Sequence, residues 1–304
     1  MASQKDVKNR ISSVKNIQKI TRAMEMVAAA RLRRAEQRIE HLRPYAGAIR
    51  RMTRRVVEAV ENIPSMPILE EHDEVKRVGL LLVTGDRGLA GPFNSQIIRA
   101  GNRRAAELEA DGKEVVWYAS GRRGVSSLQF RGRDVAGSYI GFTDRPAYAN
   151  AREIADDLVQ NYVDNEIDRV EIIYNHYVSA LTQTVSHETL LPLQQIDVLT
   201  EDEDEEEEDE TPEDDKGNKA SWLYEPEPEE ILQRLIPDYV EISIYRALLE
   251  STASEHGARM TAMRNAQENA SEMIDDLTLE MNRQRQAEIT QEIMEVVAGA
   301  EGLR

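Results

Sequence analysis

Cysteine is absent from the 304 residues. That excludes disulfides, thiol catalysis, cysteine-ligated zinc and thiol redox switching. Aromatics make up only 5% of the chain, against 31% charged residues, a balance that suits long exposed helices better than a thick globular core. No run approaches the roughly 20 consecutive apolar residues that a membrane span needs. The opening "MASQKDVKNR" is charged and polar, and no apolar run follows it as in a signal peptide. The expectation is a chain kept in a soluble compartment, which could still sit on a membrane by holding an integral partner.

Charge is unevenly spread. Residues 201–215, "EDEDEEEEDETPEDD", hold 13 acidic side chains and no basic ones; without them the formal −18 falls to −5. Residues 1–62 carry 15 Lys/Arg against 6 Asp/Glu, whereas residues 226–304 carry 7 against 16. The two ends are electrostatic opposites, and flanking charges of this kind set partner choice and orientation in paired helices.

Glycine is missing from residues 3–46, and Pro44 is the one proline in 3–62. Apolar or small residues recur there in steps of three and four, from Val7, Ile11 and Val14 to Met52, Val56 and Val60. That spacing marks a narrow helical seam. Pro44 removes a backbone donor and crowds the preceding turn. The reading is one long helix with a bend, with two helices meeting at Pro44 as the alternative. From Ile242 the same repeat runs through Leu249, Ala253, His256, Met260 and Met263 to Leu277 and Met281. Pro237 is expected to limit where that helix starts. About 60 residues at 1.5 Å each make a rod of about 90 Å. Neither rod is apolar all round, which argues against a core helix. Met and Ala recur on both arms, either as pliable and small residues for close approach or simply as good helix formers.

Between the arms the period changes. "RVGLLLVTGD" (77–86), "EVVWYAS" (114–120), "RVEIIYNHY" (169–177) and "TQTVSHETLLPL" (182–193) read as strands, and 94–111 and 146–164 as helices. Such alternation predicts a largely parallel sheet covered on both faces. The expected organisation is therefore an α/β fold: residues 1–62 a coiled-coil helix, 75–200 the central α/β domain, 201–219 an acidic linker and 226–304 a second coiled-coil helix. The arms return beside each other as an antiparallel pair. The acidic run is expected to be a solvated, disordered linker; a docking site for a basic partner is the sharper alternative.

Sites of chemistry are few. "TGDRGLAGPFN" (84–94) puts a glycine-rich turn between strand and helix, where phosphates bind in nucleotide folds. Its glycines at 85, 88 and 91 miss the dinucleotide spacing, and no Gly-Lys-Ser/Thr follows. A structural turn or an interface competes with phosphate binding. The five histidines (41, 72, 176, 187, 256) show no metal-ligand spacing. No catalytic constellation, cofactor site or metal site is suggested. The basic N-terminal arm lacks interleaved aromatics, which weighs against nucleic acid.

Four blocks, "SVKNIQKITRAMEMVAAARLRRA" (13–35), "TGDRGLAGPFN" (84–94), "LYEPEPEEIL" (223–232) and "ITQEIMEVVAGA" (289–300), resemble the gamma subunit of F-type ATP synthase. Gly302 departs from the Ala, Ser or basic residue usual at its place. The resemblance implies a rotor shaft: an antiparallel coiled coil rising through a ring of alpha and beta subunits. It also implies a Rossmann-like base held by the epsilon subunit and resting on the membrane c ring. One non-catalytic copy per complex would sit peripherally on the cytoplasmic face of a bacterial-type cell membrane. Proton flow turns the ring, and the shaft opens and closes the beta-subunit sites in turn. By motif, Met24 is expected beside Gln286, Thr290 and Glu292. These residues, with Arg259 lower down, are expected to touch the beta subunits. Trp222, Tyr224 and Glu225 match a segment that touches the c ring. An adaptor joining two partners and a nucleotide-binding enzyme on the central sheet remain as rival classes.

Overall fold

The computed structural model describes residues 4–59, 66–69, 72, 74–193 and 226–301. Trp222, Tyr224, Glu225 and the acidic run lie outside them. Helix α1 spans Gln4–Ala59 and the last helix, α5, spans Pro228–Glu301. Between them run β1 (Arg77–Val83), α2 (Phe93–Ala110), β2 (Glu114–Ser120), α3 (Arg122–Phe130), β3 (Val135–Tyr139), α4 (Tyr148–Val163), β4 (Arg169–Tyr177) and β5 (Gln183–Leu191).

The five strands form one sheet in the order β3-β2-β1-β4-β5. The pairs β1–β2, β1–β4 and β2–β3 are parallel, and β5 joins β4 antiparallel at one edge. Side chains on β1 alternate between the faces, as the pleat requires. Leu81 and Val83 enter one core with Tyr118, Ile154, Leu158, Leu232 and Ile244. Leu80 and Leu82 enter the other with Phe93, Ile97, Ala105 and Leu128. Helices α2 and α3 thus cover one face; α1, α4 and α5 cover the other.

Sequence reading misses α3 and β3. Both are short, and their glycines disguise them while serving close packing. Gly121 has φ 92°, and a Cβ there would fall 2.1 Å from the Thr84 carbonyl oxygen. On Gly124 it would fall 2.8 Å from Thr84 Oγ1. The backbone of β1's end and the start of α3 meet there without side chains between them.

Both prolines are absorbed. The helix α1 is continuous through Pro44, whose ring is exposed while Ala46 and Ile49 bury into the core. Pro237 does not limit the start of α5, which begins at Pro228. Proline suits a helix's first turn, and around Pro237 the burial of Leu232, Leu235, Ile236, Tyr239 and Val240 outweighs one missing backbone bond.

The larger correction concerns α5. From Tyr239 to Arg259 no position is exposed, so this stretch is a core helix after all. Its polar residues survive burial because each has a partner. Glu241 accepts from Arg152 Nε at 3.1 Å, and Glu250 meets His176 Nδ1 at 2.6 Å. Thr252 Oγ1 donates to the Thr143 carbonyl at 2.9 Å, and Ser254 Oγ to that of Asn175 at 3.1 Å.

The arms pair antiparallel. Leu32 and Ala35 pack with Ala253, and farther out Val7 and Ile11 pack with Leu277, flanked by Val14, Ile274 and Met281. Between these levels Arg264 Nε donates to Glu25 Oε1 at 3.0 Å. That pair joins an acid of the basic arm to a base of the acidic arm, so locally it runs against the net charges. Beyond Met281, residues 282–298 are exposed except for half-buried Gln284. The end of α5 has outrun the start of α1.

Candidate functional site at the junction of shaft and base

The turn after β1 is built from its own carboxylate. Asp86 accepts from the backbone N–H of Arg122 at 3.0 Å and of Gly141 at 2.9 Å, and from Thr143 N and Oγ1 at 3.3 and 3.0 Å. Partial burial opposes its ionisation, but these donors hold the carboxyl below its usual range. Gly85 N donates to Asn94 Oδ1 at 2.8 Å and Asp86 N to Thr143 Oγ1 at 2.9 Å. Thr84 Oγ1 donates to Ser120 O at 2.8 Å and accepts from Gly124 N at 2.9 Å. The carboxylate of the turn is thus spent on tying it to the start of α3 and the segment after β3, and Gly85 N, a backbone donor within the turn itself, already serves Asn94. Of the two sequence readings, the geometry favours a structural turn.

That turn rests on the shaft. A Cβ on Gly85 would fall 2.7 Å from the Glu255 carboxylate. Glu255 is 2% exposed and makes a short ion pair with Arg259 one turn farther along α5. Burial pushes its carboxyl up, against the pull of Arg259. Arg259 Nη2 also donates to the Gly88 carbonyl at 3.3 Å, and its Nη1 stands 3.3 Å from His256 Nδ1. Burial, with Arg259 beside it, lowers His256 to about 4, so the ring is neutral near pH 7. Asp144 accepts from Arg31 at 2.5 Å and stands 3.2 Å from Arg87; although burial raises its carboxyl, these arginines hold it low.

A groove of about 570 Å³ opens above this cluster between α1, α5 and the turn. Met24, Ile20 and Val27 line it from α1, Leu89 and Arg87 from the turn, and His256 and Arg259 from α5. Leu89 is 66% exposed with φ 63°. A branched residue in the left-handed region is strained, and such strain concentrates at working surfaces.

The structure brings Met24 and Arg259 into one groove but separates both from the other expected contacts. Gln286, Thr290 and Glu292 lie on the exposed end of α5, where Thr290 Oγ1 bonds back to the Gln286 carbonyl at 2.8 Å. Met24 adjoins Glu25, which faces Arg264. Gln286 is 22 residues past Arg264, about 33 Å along a helix. The expected placement of Met24 beside Gln286, Thr290 and Glu292 is therefore wrong. The seam repeat fixes that two helices pair, not their register, and in the observed register Val7 and Ile11, well before Met24, already face Leu277. Sequence reading also passed over Asp86, Glu255 and Leu89. The small residues around Glu255, in "TASEHGARM", were the available signal of close approach. Among the described residues no group of three or more His, Asp or Glu could hold a metal ion, and no helix is long and apolar enough to cross a membrane.

A two-helix antiparallel shaft set into a mostly parallel α/β base, with an uncovered helical tip, defines a central-stalk protein. The ATP synthase family model matches residues 3–303. The ATP synthase gamma chain of Moorella thermoacetica is 43% identical over 304 residues, covering all of both chains. That of Rubrobacter xylanophilus is 42% identical over 303, covering all of this chain and 99% of its own. Among solved structures, the central stalk and c-ring structure of the Tetrahymena thermophila mitochondrial ATP synthase holds a chain matching 81% of this one and 99% of itself. It is 28% identical with a TM-score of 0.60. A chain of the Euglena gracilis mitochondrial enzyme reaches a TM-score of 0.64 at 15% identity, covering 99% of this chain and 94% of its own, a likeness of fold. The chain belongs to the ATP synthase gamma chain family.

Proposed function

We propose that this chain is the rotary central-stalk subunit of a proton-translocating ATP synthase. It carries rotation of the membrane c ring to the beta-subunit sites and brings no catalytic residue or cofactor of its own. Its partners are a ring of alpha and beta subunits around the shaft, an epsilon subunit on the base and the c ring beneath. It is held as one copy, peripherally, on the cytoplasmic face of a bacterial-type membrane. Segments 1–62 and 226–304 supply the shaft, 75–200 the base and 201–219 the connection between base and shaft.

The observation that carries this reading is the tip of α5. Ile289, Ile293, Val296 and Val297 are between 48% and 72% exposed on a helix end that the described residues leave uncovered. A sleeve from other chains would shield them, and apolar side chains without fixed polar partners let the tip turn inside it. Gln286, Thr290 and Glu292 present polar groups at the same level, suited to contacts remade at every rotational stop. Met24 meets the beta subunits lower down, and Arg259 borders that surface from within. Trp222, Tyr224 and Glu225 face the c ring.

The test is add-back. Membranes carrying the rest of the complex but lacking this chain should regain ATP-driven proton pumping when it is supplied, with one copy per hexamer. Binding without restored pumping would favour a passive adaptor, and equal pumping without the chain would contradict the proposal.

A further inference from the structure

We propose that Glu255 is a positioning residue for rotation. It locks Arg259 onto the turn of residues 84–94, so that base and shaft move as one body. The inference rests on the rotary reading and names the device that transmits torque between its two parts. Four observations converge. Glu255 is buried within the shaft helix and forms a short ion pair with Arg259. Gly85 leaves its Cβ position empty where the Glu255 carboxylate sits, 2.7 Å away. Arg259 spends a second donor on the Gly88 carbonyl at 3.3 Å. The turn so held carries exposed Leu89 and the groove wall opposite Met24.

The carboxylate is thus gripped between a backbone of the base and a guanidinium of the shaft. Removing its charge frees Arg259 from its orienting partner, and adding a methyl at position 85 pushes the carboxylate off it. Both changes should loosen the same contact from opposite sides. A shorter acid makes room for that methyl while keeping a charge for Arg259.

Complexes containing the full chain should be compared by protons pumped per ATP hydrolysed. Glu255→Gln and Gly85→Ala are each expected to lower that ratio at least threefold while ATP hydrolysis continues. The double variant Gly85→Ala/Glu255→Asp should recover at least half of the loss. Recovery by a further substitution is a result that simple loss of packing would not give. Unchanged pumping in Glu255→Gln, or a double variant no better than Gly85→Ala, would overturn the inference. If Gly85→Ala does not assemble, Glu255→Gln alone decides it. Failure of the unsubstituted chain to restore pumping would instead count against the rotary reading itself.

Discussion

The two ends of α5 obey different rules although they are one helix. Between Tyr239 and Arg259 every residue is buried or half-buried among α1, α4 and the sheet. Past Met281 almost every residue faces outward. The lower part is helical because tertiary packing demands it, prolines and buried acids included. The tip relies on local propensity within this chain, as a free helix must. A single repeat of threes and fours therefore covers two physical situations. The lower one fixes the shaft in the base, and the upper one leaves a surface for other chains.

Truncating the two ends should break the comparison most plainly. Leu248 is 2% exposed, and Leu248→Ala should cost about 3 kcal/mol in urea unfolding of the chain, through lost burial and a cavity. Ile293→Ala at the tip should stay within about 0.5 kcal/mol. Equal losses would mean that the tip is packed within this chain. Next, Gly121→Ala combines a backbone at φ 92° with a collision at Thr84. It should cost on the order of 2 kcal/mol, read from the same urea midpoint.

Two titrations sharpen the contrast between buried base and exposed shaft. Glu171, 1% exposed on β4, accepts from Arg104 Nε and Nη2 at 2.8 Å each and lies 2.7 Å from His187 Nε2. Burial would raise its carboxyl, but these partners hold it at about 2, below the ordinary 4.5. A lowered carboxylate stabilises the fold above about pH 4.5, and that contribution is lost as pH falls toward 2. Glu171→Gln should lower stability at pH 7 by about 2 kcal/mol and flatten the acid limb. His256, lowered from 6.5 to about 4, contributes stability above pH 6.5 that drains as pH falls through 4. Its ring should stay neutral by NMR at pH 5.5, and His256→Gln should remove part of the slope between those values. The smallest effect belongs to the exposed Glu25–Arg264 pair. Arg264→Ala should cost no more than about 0.5 kcal/mol and should lose even that in high salt.

The sequence made the element types legible where one periodicity persists. The long seams follow from spacing, and the strand "RVGLLLV" from a continuous apolar run that ends in a turn. It failed where the answer depends on a partner. Nothing in α1 states its register against α5, so Met24 was set beside Gln286 although its level is that of Arg264. Nothing in α5 shows that Glu241, Glu250 and Glu255 find Arg152, His176 and Arg259, so a rod that is not apolar all round reads as no core helix. The elements α3 and β3 are hidden for a related reason: glycines weaken their local propensity, but Gly121 and Gly124 allow the tight approach of α3 to Thr84, and Gly137 in β3 leaves room for Tyr118 and Tyr139.

The antiparallel register is the claim to test first, and the absence of native cysteine makes the test clean. Glu25→Cys/Arg264→Cys should cross-link efficiently with a short thiol reagent, and Met24→Cys/Gln286→Cys should not. Cross-linking of the second pair in place of the first would contradict the shaft described here.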